Sequence, residues 1–206
     1  MLIDFSYLCK KYNFIPKGIL HIGAHDLEEM SSYHSQGVFN IVWIEGNPDL
    51  VSRNFHRVDG TRQKLLSALV YSENDKEVDF NITNNLQSSS ILEFGKHKEY
   101  HPHVDLVEVR KMKTTRVDTL LEKNEVSPSD FDFVNLDIQG VELQALRGFG
   151  KYLEGVKYIY TEVNSGEVYK GNDSILDLDN FLSEFGFKRV ETEMTPFEWG
   201  DAFYTR

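Results

Sequence analysis

Short apolar runs alternate with longer amphipathic segments along most of the chain. The first two runs, Gly18–Gly23 and Val38–Ile44, are compact and almost uninterrupted, as expected for strands that are buried on both faces. The polar segment between them carries apolar positions at helical spacing and ends at Gly37. Strand, helix and strand in this order predict a βαβ unit with two parallel strands.

The same alternation continues to the end of the chain. Residues 1–16 predict a short N-terminal helix that Pro16 stops. The last two strands have only a short connection, which predicts an antiparallel edge strand. The whole pattern predicts one α/β domain over residues 1–206, with a doubly wound, mostly parallel, seven-stranded sheet. The further strands are predicted at 65–70, 131–136, 156–161, 187–192 and 202–205, and the further helices at 48–58, near Thr119, at 141–147 and at 175–182.

Residues 72–115 interrupt this pattern because they are polar and poor in predicted strands. We expect a hairpin and a long loop over the active-site edge of the sheet, since a loop of this length in a compact domain is usually functional. The segment contains Ser88–Ser90 and three histidines, His97, His101 and His103. Positions 97 and 101 would share a helical face, but a proline follows at once and the sequence is not H-E-x-x-H. A solvated loop without a metal ion is the preferred interpretation.

Composition restricts the possible ligands. The 206 residues include 22 Lys and Arg against 33 Asp and Glu, a net charge of −11, which weakens any case for nucleic acid or an anionic membrane as a partner. Cys9 is the one cysteine, so an internal disulfide and a cysteine-based zinc site are excluded. The amino-terminal residues lack the features of a signal peptide, and no apolar run approaches the ~20 residues of a membrane span. We expect a cytoplasmic protein that binds small molecules.

Candidate binding residues stand where the predicted strands end. In an open α/β sheet, ligands bind at the carboxyl ends of the strands, near the point where the strand order reverses. Gly23 ends the first predicted strand and Glu45 ends the second, 22 positions later. The glycine allows close backbone approach and the acid can accept hydrogen bonds from ribose hydroxyls, so the pair predicts a nucleoside site. The later strand ends carry Ser67, Ala68, Asp137 and Glu162.

The residues after the first strand distinguish two nucleoside cofactors. A dinucleotide fingerprint needs G-x-G-x-x-G, whereas Gly23 is followed by Ala24, His25, Asp26 and, two positions later, Glu28. These acids place negative charge where a pyrophosphate would bind. S-adenosylmethionine contains a ribose, no phosphate and a positively charged sulfonium. It therefore suits the acid-rich strand ends better than NAD.

Longer motifs cover most of the chain. They are I-G-A at 22–24, E-x-N-P at 45–48, S-S-S at 88–90, F-D-F-V-N-L-D-I-Q-G-V-E-L-x-x-L-R-G at 131–148, T-E-V-N at 161–164, V-Y-K-G at 168–171, G-F-K-R-V-E-T at 186–192 and W-G-D-A-x-Y at 199–204. In these motifs the chain resembles the FkbM-type methyltransferase family, which has the Rossmann-like class I S-adenosylmethionine-dependent fold. Two positions depart from the family pattern. Asp26-Leu27-Glu28 stand where a second glycine is common, and Gln139 replaces the acid of D-x-E-G.

The resemblance implies a reaction, a cofactor and a set of site residues. The reaction is transfer of a methyl group from S-adenosylmethionine to a hydroxyl, often on a sugar or a glycosylated product. Asp137, Glu162 and His25 are the candidates for accepting the hydroxyl proton. Trp199, Asp201 and Tyr204 are candidates for the acceptor side. The residues implied in cofactor binding are Gly23, Ala24, His25, Glu45, Asn47, Ser67, Ala68 and Asp137.

Simpler interpretations stay open beside these. Asp137 and Glu162 could cap the helices that follow their strands, and His21, inside a strand, is typical of a core histidine. A degenerate family member would bind a nucleoside or a partner without turnover, as the missing glycine and Gln139 suggest. A nicotinamide-dependent oxidoreductase would require the turn after Gly23 to accept a pyrophosphate.

Overall fold

The computed structural model describes residues 1–58 and 62–206. Its helices are α1 (Phe5–Lys11), α2 (Met30–Ser35), α3 (Pro48–Asn54), α4 (His97–Tyr100), α5 (Val117–Lys123), α6 (Glu142–Arg147) and α7 (Ile175–Glu184), with 3₁₀ helices at Phe55–Arg57 and Gly150–Gly155. Its strands are β1 (Ile19–Ile22), β2 (Ile41–Glu45), β3 (Gln63–Ser67), β4 (Leu69–Val70), β5 (Glu77–Thr83), β6 (Leu106–Thr115), β7 (Phe133–Leu136), β8 (Tyr158–Asn164), β9 (Lys188–Met194) and β10 (Trp199–Thr205). None of the helices in the described ranges has the length and apolar character needed to cross a membrane.

Seven of the strands form one sheet in the order β3-β2-β1-β7-β8-β10-β9. The first five strands in this order run parallel, and β10 runs antiparallel to both β8 and β9. The predicted α/β fold, with a mostly parallel seven-stranded sheet and antiparallel pairing at one edge, is confirmed. The strand order reverses between β1 and β7, where His21 lies opposite Asn135.

The two faces of the sheet are covered by separate cores. Even-numbered residues of β1, β2 and β7, such as Leu20 and Val134, pack with α5, α6 and α7. Odd-numbered residues, such as Trp43 and Phe133, pack with α1 and α2. The predicted N-terminal helix is present in α1, where the Phe5 ring lies edge-on to Phe133 at 5.3 Å. Helices on both faces are the reason that these strands are apolar throughout.

The predicted strand at 65–70 is divided in two. β3 ends at Ser67 in the main sheet, and after Ala68 the chain enters β4 of a second, three-stranded sheet. The order of the second sheet is β4-β6-β5, with β5 and β6 antiparallel. The expectation that residues 72–115 are poor in strands is therefore wrong, although the predicted hairpin pairing is present. The ten-residue β6 is mostly exposed, so it lacks the apolar run that marks a buried strand.

Candidate functional site

The candidate site lies at the carboxyl ends of β1 and β7, where the strand order reverses. Gly23 follows β1 with φ of +90°. A Cβ atom at this position would lie 1.8 Å from the carbonyl oxygen of Asp137, which follows β7. Only glycine allows the two strand ends to approach this closely. Two cavities open at this point, and Gly23, His25, Gln87, Asp137 and Gln139 line both of them.

The smaller cavity has a volume of about 70 Å³ and mostly apolar walls. Glu45 at the end of β2 is its buried carboxylate. The two carboxylate oxygens accept hydrogen bonds from the backbone N–H of His25, at 2.8 Å, and of Asn47, at 2.7 Å. Burial raises the pKa of Glu45 above its usual value, and these two backbone donors oppose the shift. The apolar wall residues are Ile22, Ile44, Leu50, Ala68, Leu69, Val70, Phe80, Leu86, Ile91, Ile138 and Val141.

The larger cavity, of about 470 Å³, has a polar lining. Its lining contains two sets of titratable side chains, contributed by the strand ends, the turn after β1 and the segment between β5 and β6. The carboxylates are Glu28, Glu29, Asp137, Glu162 and Asp201, and the histidines are His21, His25, His97, His101 and His103.

Gln139 connects two of these carboxylates. Its side-chain nitrogen donates to Asp137 Oδ1 and to Glu162 Oε2, both at 2.7 Å. Its side-chain oxygen accepts from the hydroxyl of Tyr169 at 2.6 Å. Burial, and then the charge of Asp137, raise the pKa of Glu162 well above its usual value. Glu162 therefore keeps its proton at a pH where an exposed glutamate has lost it.

Two further buried acids surround this group. Glu142, in α6, accepts hydrogen bonds from the backbone N–H of Ile138 and Gly140, and burial raises its pKa to about 7. Asp201, in β10, accepts from the Tyr160 hydroxyl, and burial raises its pKa to about 6. Sequence reasoning did not select Glu142, although this residue lies within the motif at 131–148. The signal available for it was a glutamate directly after a strand-end turn.

His25 forms a pair with an acid in the turn after β1. Its Nδ1 lies 2.7 Å from Glu28 Oε1, and its Nε2 is buried without a hydrogen-bond partner. Burial lowers the pKa of His25, but the hydrogen bond and charge of Glu28 outweigh this effect and the net pKa is raised. An imidazole held by a carboxylate at one nitrogen, with the other nitrogen unpartnered, is an arrangement suited to proton transfer.

The segment between β5 and β6 covers the larger cavity. The backbone N–H groups of Gly95 and His97 both donate to the carbonyl oxygen of Val168. His97 is buried beneath them, with its ring stacked on Phe94 at 4.5 Å, and burial lowers its pKa to about 4. The prediction of a solvated loop is therefore wrong for His97, because its ring packs between aromatic side chains. Across the described residues, no group of three or more His, Cys, Asp or Glu side chains is arranged to hold a metal ion.

The predicted site residues are divided between the cavity walls and their surroundings. Gly23, His25, Glu45, Ala68, Asp137 and Glu162 line one or both cavities. Ala24 is buried, Asn47 caps α3 through its side chain, and Ser67 is exposed; none of these three is a lining residue. Trp199 and Asp201 line the larger cavity, whereas Tyr204 lines neither cavity and its hydroxyl donates to Asp179.

The sequence matches a known protein family over most of its length. The family model described as "Methyltransferase FkbM domain" matches residues 21–189. The chain belongs to the FkbM methyltransferase family. The match contains both strand ends at the order reversal and the segment that covers the larger cavity, whereas the lining residues Met1, Leu2, Trp199 and Asp201 lie outside it.

One curated relative is the hexuronic acid methyltransferase AglP of Haloferax volcanii. It is 29% identical to the chain over 167 residues, which cover 80% of the chain and 60% of the relative. The chain thus spans about 60% of the length of this family relative.

Solved structures show the same fold at low sequence identity. A SAM-dependent methyltransferase from Aquifex aeolicus aligns with a TM-score of 0.51 at 10% identity, covering 98% of this chain and 89% of the other. A ribosomal protein L11 methylase from Lactobacillus delbrueckii subsp. bulgaricus aligns with a TM-score of 0.51 at 8% identity, covering 92% and 69%. These alignments support the fold of the family.

Proposed function

We propose that the chain is an S-adenosylmethionine-dependent methyltransferase that acts on a hydroxyl of a sugar, a glycan or a related polar metabolite. The observation that carries the proposal is the pair of cavities that share Gly23, His25 and Asp137 at the strand-order reversal. One is narrow and apolar with a buried acid, and the other is wide and polar. This combination suits a nucleoside cofactor beside a polar acceptor.

The residues of the smaller cavity fit the adenosine part of this cofactor. Glu45 is buried, and each of its oxygens has a lone pair left after its backbone hydrogen bond, so it can accept from ribose hydroxyls. Ala68 and the apolar walls suit an adenine ring. In this proposal Asn47 acts by donating its N–H to Glu45, and Ala24 and Ser67 act only through the backbone beside the cavity.

The residues shared with the larger cavity fit the methionine part. Asp137 supplies negative charge where the cofactor carries its sulfonium and ammonium groups. No Lys or Arg is among the described residues that line either cavity, and the Met1 ammonium group in the larger one is already paired with Glu29, so no lysine or arginine side chain is available there to bind a pyrophosphate. This composition favours S-adenosylmethionine over a nicotinamide dinucleotide.

When bound, S-adenosylmethionine supplies a methyl group on a positively charged sulfur. The chain must align the acceptor hydroxyl with that methyl group and take up the proton that the hydroxyl loses. We assign the proton to Nε2 of His25, which has no other partner, with Glu28 holding the ring by Nδ1. Asp137 and Glu162, tied together by Gln139, bind and orient the groups beside it.

Calorimetric titration with S-adenosylhomocysteine tests the cofactor assignment. The unaltered chain should bind it, and Glu45→Ala should weaken binding by the amount typical of hydrogen bonds to a charged group, ~2–3 kcal/mol, or roughly 30- to 150-fold. Glu77→Ala removes the same charge from an exposed position at the start of β5 and should leave the affinity unchanged. Absence of binding to the unaltered chain would exclude the proposed function.

A further inference from the structure

Acidic side chains predominate in the larger cavity, and the ammonium group that lines it, at the amino terminus of Met1, lies 3.5 Å from Glu29 Oε1. Its lining contains five acidic side chains, of which the buried Glu162 keeps its proton, and among the described residues that form it there is no Lys or Arg. Glu28 and Glu29 lie on the turn after β1, and Asp201 lies in β10. Negative side chains thus approach the cavity from more than one element. An anionic group placed among them would be repelled rather than neutralised.

The histidines of the lining do not reverse this charge. Burial lowers the pKa of His21, which is buried within β1, and of His97 and His101 in the covering segment. These three rings are therefore neutral at neutral pH. His25 faces Glu28, so any positive charge that it gains is already paired.

Besides Nε2 of His25, two buried polar atoms in the lining residues lack a hydrogen-bond partner. They are Oδ1 of Asn135, a residue 2% exposed, and Nδ1 of His97, a residue 5% exposed. The side-chain nitrogen of Asn135 already donates to the Tyr33 hydroxyl at 2.8 Å, which leaves its oxygen as an acceptor. A carboxylate or phosphate oxygen cannot donate to that acceptor, whereas a hydroxyl both donates and accepts. Both observations favour a ligand rich in hydroxyls.

We infer that the sugar unit entering the larger cavity is uncharged, a polyhydroxyl residue without a carboxylate or phosphate group. The inference rests on the proposed methyl transfer and names its acceptor class. It separates this chain from its Haloferax volcanii relative, whose name specifies a hexuronic acid. The negative charge of the cavity wall would disfavour an anionic acceptor. The hydroxyl groups of a neutral sugar would supply the hydrogen bonds that Asn135 and His97 lack.

A transfer assay with matched acceptors tests the inference. Radiolabelled S-adenosylmethionine is supplied with the methyl glycosides of glucose, galactose and mannose, with the corresponding methyl uronides and with the corresponding 6-phosphates. At low salt, kcat/KM for the best neutral glycoside should exceed that of its uronide and its phosphate at least tenfold. Added salt should lower this ratio, because it screens the repulsion between the cavity wall and an anionic acceptor.

A charge substitution in the wall provides a second test. Gln87 is exposed and lines both cavities, so Gln87→Arg introduces one cation there. The ratio of uronide to neutral turnover should rise about tenfold in this variant. Gln36→Arg adds the same charge at the end of α2, outside both linings, and should leave the ratio unchanged.

The outcomes separate this inference from the function on which it rests. If S-adenosylhomocysteine does not bind, the proposed function fails. If it binds and the uronides or phosphates are methylated as well as the neutral glycosides or better, or if no neutral glycoside accepts a methyl group, the acceptor inference alone is overturned. An unchanged ratio in Gln87→Arg would also overturn it, since the charge of the wall would then have no effect on acceptor choice.

Discussion

At the scale of single residues, the turn after β1 combines backbone and side-chain roles. His25 has φ of +40°, a left-handed conformation that is uncommon for residues other than glycine. Its backbone N–H donates to Glu45 while its ring pairs with Glu28. One residue thus contacts both cavities, and its conformation fixes where the imidazole lies.

The proposed base predicts a defined pH dependence. His25→Asn keeps a residue that tolerates a left-handed backbone, so S-adenosylhomocysteine should still bind while kcat falls about 100-fold, as for loss of a general base. In the unaltered chain, activity should rise with pH as His25 loses its proton. Glu28→Gln removes the partner that raises the pKa of His25, so this rise should occur at lower pH.

Steady-state rates measured from pH 5 to 9 with a neutral glycoside check both substitutions. Glu77→Gln, at an exposed position, is the control for a lost negative charge. A His25→Asn variant with unaltered kcat, or a Glu28→Gln variant with an unmoved acidic limb, would contradict the role of His25 as the base.

At the scale of elements, the site depends on how closely β1 approaches β7. Gly23 has φ of +90°, and a Cβ there would collide with the Asp137 carbonyl. Gly37 has φ of +80°, but a Cβ there meets nothing within 4 Å. Both glycines have a left-handed backbone conformation, but a side chain would collide with a neighbouring atom only at Gly23.

Alanine substitutions should separate these two effects. Gly37→Ala should lower the free energy of unfolding by ~1–2 kcal/mol, the strain of a left-handed alanine. Gly23→Ala adds overpacking against Asp137 and should lower it by more than about 3 kcal/mol. Urea unfolding measures both, and equal losses would show that the strand ends separate without strain.

Sequence reasoning located the strands of the main sheet and expected residues 72–115 over the active-site edge, but it did not predict the extent of the strands in that segment or which of its side chains line the cavity. The apolar runs and the strand-end residues Gly23, Glu45 and Asp137 were sufficient for the parallel order and for one edge of both cavities. The position of 84–104 depends on contacts distant in sequence, such as Gly95 with Val168, which no local pattern encodes. His97 and Asn135 were missed as lining residues for the same reason, although a polar residue inside the apolar β7 was a visible signal.

At the scale of the whole molecule, some of the acidic side chains lie in the interior. Glu142 and Glu162 have raised pKa values because they are buried. The folded chain therefore holds protons that the unfolded chain releases above about pH 4.5. It follows that the free energy of unfolding falls as pH rises through the folded pKa values. His21 and His97, with lowered pKa values, act in the opposite direction, but their contribution is complete by pH 7.

Glu162→Gln should remove part of this pH dependence. The replacement amide can still accept from Gln139 and needs no proton, so the melting temperature at pH 9 should rise by about 3 °C or more, corresponding to roughly 1 kcal/mol. At pH 5 the variant and the unaltered chain should have the same melting temperature. Calorimetric scans at pH 5 and pH 9 measure these melting temperatures, with Glu77→Gln as the control for net charge. An equal rise in melting temperature at both pH values would contradict the prediction.

The pairing of β1 with β7 has a consequence for how the chain folds. Ile19 and Phe133 are neighbours in the sheet but 114 residues apart in sequence, whereas Ile19 and Ile41 are only 22 apart. During synthesis from the amino terminus, β1, β2 and β3 leave the ribosome well before β7 exists. The crevice between Gly23 and Asp137 can close only after the chain has been extended past residue 137, and such distant pairing is intrinsically slow. Ligand binding therefore reports on the pairing of β1 with β7, which joins the two halves of the sheet, rather than on formation of the first half alone.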